Sequence, residues 1–250
     1  MPNNRSGKYR LARLMRTILL ALALGLAAVT VYYANGVRIA RQQTPDLISE
    51  ALNRYGTELT LADLSPARKA MVLAIEDPTF LHHRGVDLTT PGAGMTTITQ
   101  GLVKRLYFPD GFRPGIAKIR QTLIAQYALD ALSTKDQQLL LFLNVSYLGN
   151  ANGKPIDGFA NAARHYFGKE FAALTDDEFL ALLAMLISPN TLQPGTAAHA
   201  ERMQRLHAYL VGDIQAASLL DVEYNGKQRG TPAEEALMAL LRLVTEANPT

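Results

Sequence analysis

Residues 74–87 read AIEDPTFLHHRGVD, and the carboxylate pair Glu76-Asp77 near the head of this stretch sets how the rest of the chain is read. Pro66 can start a helix whose apolar positions Met71, Val72 and Ile75 share one face. Pro78 closes that run, because a residue before proline avoids the α region. Both carboxylates then sit in a last helical turn, facing the negative end of the helix dipole. Taken alone, the pair reads as a solvated turn. Violations of local preference nevertheless concentrate at functional sites.

Outward from this stretch, helical periodicity broken by Gly and Pro marks further helices. They are expected at Thr97–Leu106, Ile116–Leu132, Lys135–Leu143, Ala160–Phe167, Asp176–Ile187, Ala197–Leu219 and Pro232–Glu246. Strand-like alternation is scarce, so the fold class is mainly α. Toward the N-terminus, Val37 to about Thr60 reads as a polar connector with a short helical stretch from Pro45 to Tyr55. Before it, Thr17–Ala34 is an uncharged apolar run, TILLALALGLAAVTVYYA. A spanning helix needs about 20 mostly apolar residues, so this run suffices. Cations favour the cytoplasmic side and tyrosines such as Tyr32 and Tyr33 the interface, which predicts the N-terminus inside and the bulk outside. The alternative is a cleaved signal peptide, with small residues around Ala27 and Ala28 for a peptidase. Its apolar region is usually about 7–15 residues, so a retained anchor is expected.

The chain carries 25 Lys and Arg against 22 Asp and Glu. Arg5, Lys8, Arg10, Arg13 and Arg16 account for the excess; past them, 20 basic side chains face 22 acidic ones. The high pI belongs to the N-terminal tail, and no nucleic-acid partner is indicated. The absence of cysteine excludes disulfide scaffolds, thiolate metal sites and cysteine nucleophiles.

Four segments in order carry a family resemblance. In residues 74–87, Glu76, Asp77, Phe80, His83 and Gly85 stand at the steps of the first signature of the family 51 peptidoglycan glycosyltransferases. Gly94–Phe108, GMTTITQGLVKRLYF, is similar to the family's Gly-x-Ser-Thr-Ile-Thr-Gln-Gln-x-x-Lys segment, with Thr96 for Ser and Gly101 for the second Gln. Asp130–Asn150 resembles a Lys-Asp-x-Ile-Leu-x-x-Tyr-Leu-Asn helix, and Gly158–Asn190 the closing Ala-rich helix, Tyr-Phe-Gly-Lys turn and Leu-Leu-Ala helix.

The resemblance covers about residues 60–212. It implies a lysozyme-like glycosyltransferase domain lying against the bacterial inner membrane, its outer part periplasmic, with a cleft between two lobes. The substrate would be lipid II, a disaccharide-peptide on undecaprenyl pyrophosphate. Glu76 matches the catalytic base; Lys104, Lys118 and Arg120 are the expected cations for the pyrophosphate. Thr97 and Gln100 are expected to hydrogen-bond sugar or phosphate, and Asp77, Phe80, His83, Thr96 and Thr122 complete the expected substrate site. The domain plan is a tail and anchor over 1–36, a connector over 37–60, the transferase domain over 61–215 and a helical tail over 216–250. Ser-x-x-Lys does not occur, so no transpeptidase is expected.

The chain also departs from the pattern. The family's third signature, Arg-Lys-x-x-Glu, falls on KIRQT, which puts Lys118 at the Arg and Thr122 at the Glu. No carboxylate lies between Asp110 and Asp130, so a slip in register does not restore one. Only LTTPGA separates Asp87 from Gly94, where the family has a longer segment, and Pro78 stands where a basic residue is common. Thr122 lies four residues after Lys118, on the same helical face, and is expected to point into the cleft with Glu76.

Blander readings stand beside these. His82 and His83 adjoin each other without a further ligand, so a structural role is expected over a metal site. A divalent cation, magnesium or manganese, bridging pyrophosphate and Glu76 stays open by family analogy only. The threonines can simply cap a helix, and Lys118 with Arg120 can be a solvated face. Three functions compete: a glycosyltransferase on lipid II, a non-catalytic relative that binds the precursor or a partner cell-wall synthase, and a lytic enzyme, which ranks last.

Overall fold

The structure, a computed structural model, describes residues 5–55, 58–113 and 115–245. The first residues of the N-terminal tail and the expected last helical residue, Glu246, lie outside this range.

Helix α1, Arg5–Tyr55, runs unbroken through both the apolar run and the segment expected as a connector. Its first half exposes Ile18, Leu19, Leu20, Leu22 and Leu24 on all sides, as a helix solvated by lipid does. Among the described residues it is the one helix long and apolar enough to cross a membrane. Its second half docks on the domain. Ala40, Thr44 and Ala51 are buried at helical spacing, Arg41 donates to Tyr127 O at 2.5 Å, and Thr44 Oγ1 meets Tyr107 Oη at 2.7 Å. The connector is therefore helical to Tyr55: a polar helix with one small-residue stripe needs only that stripe to pack.

The domain that follows is mainly helical. After a short 3₁₀ turn at Leu61–Asp63 come α2 (Pro66–Glu76), α3 (Ile98–Leu106), α4 (Ile116–Ile124), a π-turn (Ala125–Leu129) and α5 (Asp130–Leu132). Then follow α6 (Lys135–Val145), strands β1 (Tyr147–Ala151) and β2 (Lys154–Asp157), and helices α7 (Phe159–Phe167), α8 (Asp176–Met185), α9 (Ala197–Leu210) and α10 (Pro232–Val244). Helices α6 and α8 are buried almost all round, which explains why their apolar residues form runs rather than a stripe. Phe142, Phe159, Phe179 and Phe171 stack through the centre with ring centroids 5.7–5.8 Å apart.

Two elements depart from expectation. The antiparallel hairpin β1–β2 turns at Asn152-Gly153, both at positive φ, the favoured two-residue hairpin turn. Helix α9, expected to reach Leu219, stops at Leu210, and Gly212 at φ +87° turns the chain away.

Candidate active site

Ser65 opens α2 by accepting from the Arg68 N–H at 3.3 Å, and Pro66 occupies the first turn, where its missing N–H costs nothing. At the other end the two carboxylates part. Asp77 leaves helical conformation and is fully buried. Its Oδ1 accepts from His83 Nε2 at 2.8 Å and its Oδ2 from the Ile98 N–H at 3.0 Å. The charge that conflicts with the end of α2 thus sits at the N-terminus of α3, where the dipole favours it. Between them, Gly85 at φ +76° passes so close to the π-turn that a Cβ would lie 2.7 Å from Ala125 O. Its carbonyl accepts from Thr97 Oγ1 at 2.8 Å.

Glu76 alone of the pair faces the cleft, a cavity of about 760 Å³ that Thr96, Thr97, Lys104 and Arg105 also line. Among the described residues no hydrogen-bond donor engages its carboxylate. Burial pushes its pKa up to about 7; the Arg202 guanidinium opposes that rise and neighbouring Asp77 adds to it. A carboxyl poised near neutrality suits a general base at physiological pH.

Cations gather on the facing wall. Lys104 lies 5.8 Å from the centroid of the Phe112 ring, and Arg105 is ion-paired with Asp157 at the end of β2. Lys118 reaches through the wall from α4, its Nζ donating to Thr96 Oγ1 at 3.0 Å. Burial, and then the charge of Lys104, pull its pKa down to about 7.

Several residues expected at the substrate site are buried in the wall, with partners inside the protein. Asp77 and His83 are consumed by each other, and Phe80 is buried beneath the Lys135 ammonium, 4.7 Å from its ring centroid. The Gln100 side chain accepts from Thr97 N–H and donates to Thr122 Oγ1 at 2.9 Å. Thr122 does not face the cleft as expected. It is fully buried and its hydroxyl donates to Lys118 O at 2.7 Å, because the short side chain finds its partners on its own helix and on α3. Arg120 also stands apart: it is exposed, 5.5 Å from the Phe108 ring centroid, and borders a small cavity with Tyr32 and Tyr33 of α1.

The structure adds residues that the sequence alone did not suggest. Glu50 and Arg54 of α1 line the cleft, and the buried spacing of Ala40, Thr44 and Ala51 was the available signal. Arg202 of α9, 1 % exposed, lies behind Glu76. Glu76 and Glu50 are the cleft-lining carboxylates, and among the described residues no group of three or more His, Asp or Glu is arranged for a metal ion.

This helical domain, with one apolar N-terminal helix and a cleft in which Glu76 shares the lining with several cations, is of the transglycosylase type. The transglycosylase family profile matches residues 45–215, and the chain belongs to that family. It is 24 % identical to Penicillin-binding protein 1A of Streptococcus oralis over 94 % of this chain and 40 % of that protein. It is 34 % identical to Penicillin-binding protein 1B of Buchnera aphidicola over 50 % of this chain and 18 % of that protein. Penicillin-binding protein 1A of Escherichia coli is 30 % identical over 58 % of this chain and 18 % of its own length. The chain thus spans less than half the length of these relatives.

Proposed function

We propose that this protein is a divergent peptidoglycan glycosyltransferase that polymerises lipid II or a related polyprenyl-linked saccharide. One observation carries the reading: Glu76 presents a carboxyl that none of the described residues hydrogen-bonds, poised at about pH 7, to a cleft walled by Lys104 and Arg105 with Lys118 behind Thr96. The acceptor sugar's 4-hydroxyl hydrogen-bonds to the Glu76 carboxylate. As its oxygen attacks the donor's anomeric carbon, Glu76 takes the proton and the bond to the lipid pyrophosphate breaks. Lys104 and Lys118 offset the charge growing on that leaving group, and such preorganised charge is a large term in catalysis. Glu76 then returns its proton to solvent. Arg105, Thr96 and Thr97 complete the substrate wall, while Asp77, Phe80, His83, Gln100 and Thr122 hold it in shape.

The apolar half of α1 anchors the protein in the membrane with the N-terminal cations on the cytoplasmic side, so the cleft opens on the periplasmic face, near its lipid-linked substrate. Incubation of the full chain with labelled lipid II tests the function; polymer is expected, and loss of polymer in Glu76→Gln links it to this carboxyl. A second reading rests on Thr122: a buried hydroxyl at the position matched to the Glu of the Arg-Lys-x-x-Glu signature favours a module that binds the precursor or a partner synthase without turnover. Binding of lipid II without polymer would select it.

A further inference from the structure

The segment after α9 does more than close the chain. Tyr224 Oη approaches Ile75 O at 3.4 Å and Tyr209 Oη approaches Ala74 O at 3.3 Å. These carbonyls belong to the last turn of α2, immediately before Glu76, where helix carbonyls lack intrahelical partners. The two rings stack at 3.9 Å and 13°. Beneath them the Arg202 guanidinium lies 5.3 Å from the Tyr224 ring centroid and donates to Val222 O at 2.5 Å, while its Nε has no partner.

This arrangement is built, not draped. Asp221 accepts from the N–H groups of Ala217, Asn225 and Gly226 at 2.9–3.1 Å, which folds the segment into a closed loop. The loop is sewn to the short turn that follows Asp87: Gly92 N–H donates to Ser218 O at 2.9 Å and Gly94 N–H to Leu219 O at 2.7 Å. Both glycines are at positive φ. A Cβ on Gly92 would lie 2.9 Å from the Ala216 Cβ, and one on Gly94 2.7 Å from Val222 Cγ1. The turn shortened between the first two signatures is therefore the surface on which this segment docks. Tyr224 and its loop lie past residue 215, where the family match ends.

We infer that residues 217–226 support the reaction site, and that Tyr224 and Arg202 are positioning residues which hold the last turn of α2 and set the electrostatic environment of the Glu76 carboxylate. The inference rests on Glu76 being the base. Arg202 is the cation that opposes the burial of Glu76, and Asp77 is the neighbouring charge that reinforces it. Glu223 and Arg205 flank Arg202, and Lys104, Arg105, Glu50 and Arg54 face Glu76 from the cleft walls. Tyr224 keeps Arg202 in place by ring contact. Removing the guanidinium leaves burial unopposed, so Glu76 holds its proton to higher pH.

The test is titration of the Glu76 carboxyl by carbon NMR in the detergent-solubilised full chain, its signal assigned by its loss in Glu76→Gln. This readout needs no turnover, so it separates the inference from the glycosyltransferase reading. Arg202→Met should raise the midpoint by roughly one unit, and Arg202→Lys should restore most of the shift. If lipid II is polymerised, the acid limb of kcat/KM should move by the same amount, about tenfold less activity at a pH below the midpoint. An unmoved midpoint in folded Arg202→Met overturns the inference and leaves the segment as a cover for the core. Should that variant not fold, Tyr224→Leu removes the ring on which the guanidinium rests. A raised midpoint there supports the inference, and an unchanged one overturns it.

Discussion

Lys118 Nζ donates to Thr96 Oγ1 at 3.0 Å from a side chain 6 % exposed, so a cation is held inside the wall of the cleft rather than on its rim. The bond joins α4 to the threonine turn that precedes α3, and the ammonium lies within the influence of Lys104. The repulsion between the buried Lys118 ammonium and Lys104 destabilises the free protein. Under the proposed function, the pyrophosphate of an arriving substrate offsets that repulsion.

Lys118→Met is therefore expected to stabilise the fold while weakening binding of a pyrophosphate-bearing analogue. The folded pKa, about 7, lies below the unfolded value, so the penalty is fully present below pH 7 and disappears as pH rises toward the unfolded pKa. The variant should melt above the parent at pH 6–7, roughly 2–4 °C for each kcal/mol gained, and the gap should close in strongly alkaline buffer. Equal melting temperatures at pH 6 would place Lys118 in solvent.

A second expectation concerns the pH profile. Glu76 acts as a base only when ionised and Lys118 as a cation only when protonated, and both titrate near pH 7. The kcat/KM profile should be a narrow bell with its maximum close to neutrality. Arginine stays protonated throughout, so Lys118→Arg should lose the alkaline fall and keep the acid one. Glu76→Gln should lower turnover about 10²–10⁴-fold. Its folded pKa is raised, so the parent loses stability as pH climbs from the unfolded value through 7; Glu76→Gln should melt higher than the parent at pH 8 and equally at pH 4. A bell that persists in Lys118→Arg would assign the alkaline limb to another group.

The helical class and the positions of α2, α3 and α4 were legible because one face of each is apolar, and that of α6 because its apolar run is unbroken by Gly or Pro. The Glu76 motif was legible because its residue types recur at fixed steps. What each of those residues does was not. Asp77, His83 and Gln100 are polar and clustered, which suits a substrate site and a buried hydrogen-bond network equally; only burial and partners separate the two. Arg202 lies far along the chain from Glu76, and no local pattern links them. The docked half of α1 was hidden because small residues such as Ala40 and Ala51 barely register as a hydrophobic stripe.

Gly85 provides a test of the frame itself. Gly85→Ala would place a Cβ 2.7 Å from a backbone oxygen at a φ of +76°. Strain of about 1–3 kcal/mol is expected from the conformation alone, with more from the contact, because Ala125 O sits in a helix and does not yield. Gly111→Ala, at φ +93° with open space around it, is the control and should cost only the conformational part. Similar melting temperatures for the two variants would mean that the turn does not press on the π-turn.

The last expectation separates support from contact at Asp77. Its two oxygens serve two donors, His83 Nε2 and the Ile98 N–H, and all three groups are buried. Asn at this position keeps one acceptor and turns the other into a donor, so one of the two partners must face an N–H. An unsatisfied buried group costs about 1–3 kcal/mol, and the charge-assisted bond to the α3 N-terminus is weakened as well. Asp77→Asn should lower the melting temperature by several degrees, at about 2–4 °C per kcal/mol. Because α3 carries Lys104 and is tied through Asp77 to the end of α2, kcat should fall along with stability while affinity for lipid II changes little. A variant that melts like the parent but binds lipid II much more weakly would show that the Asp77 carboxylate touches substrate and that its bond to Ile98 is dispensable.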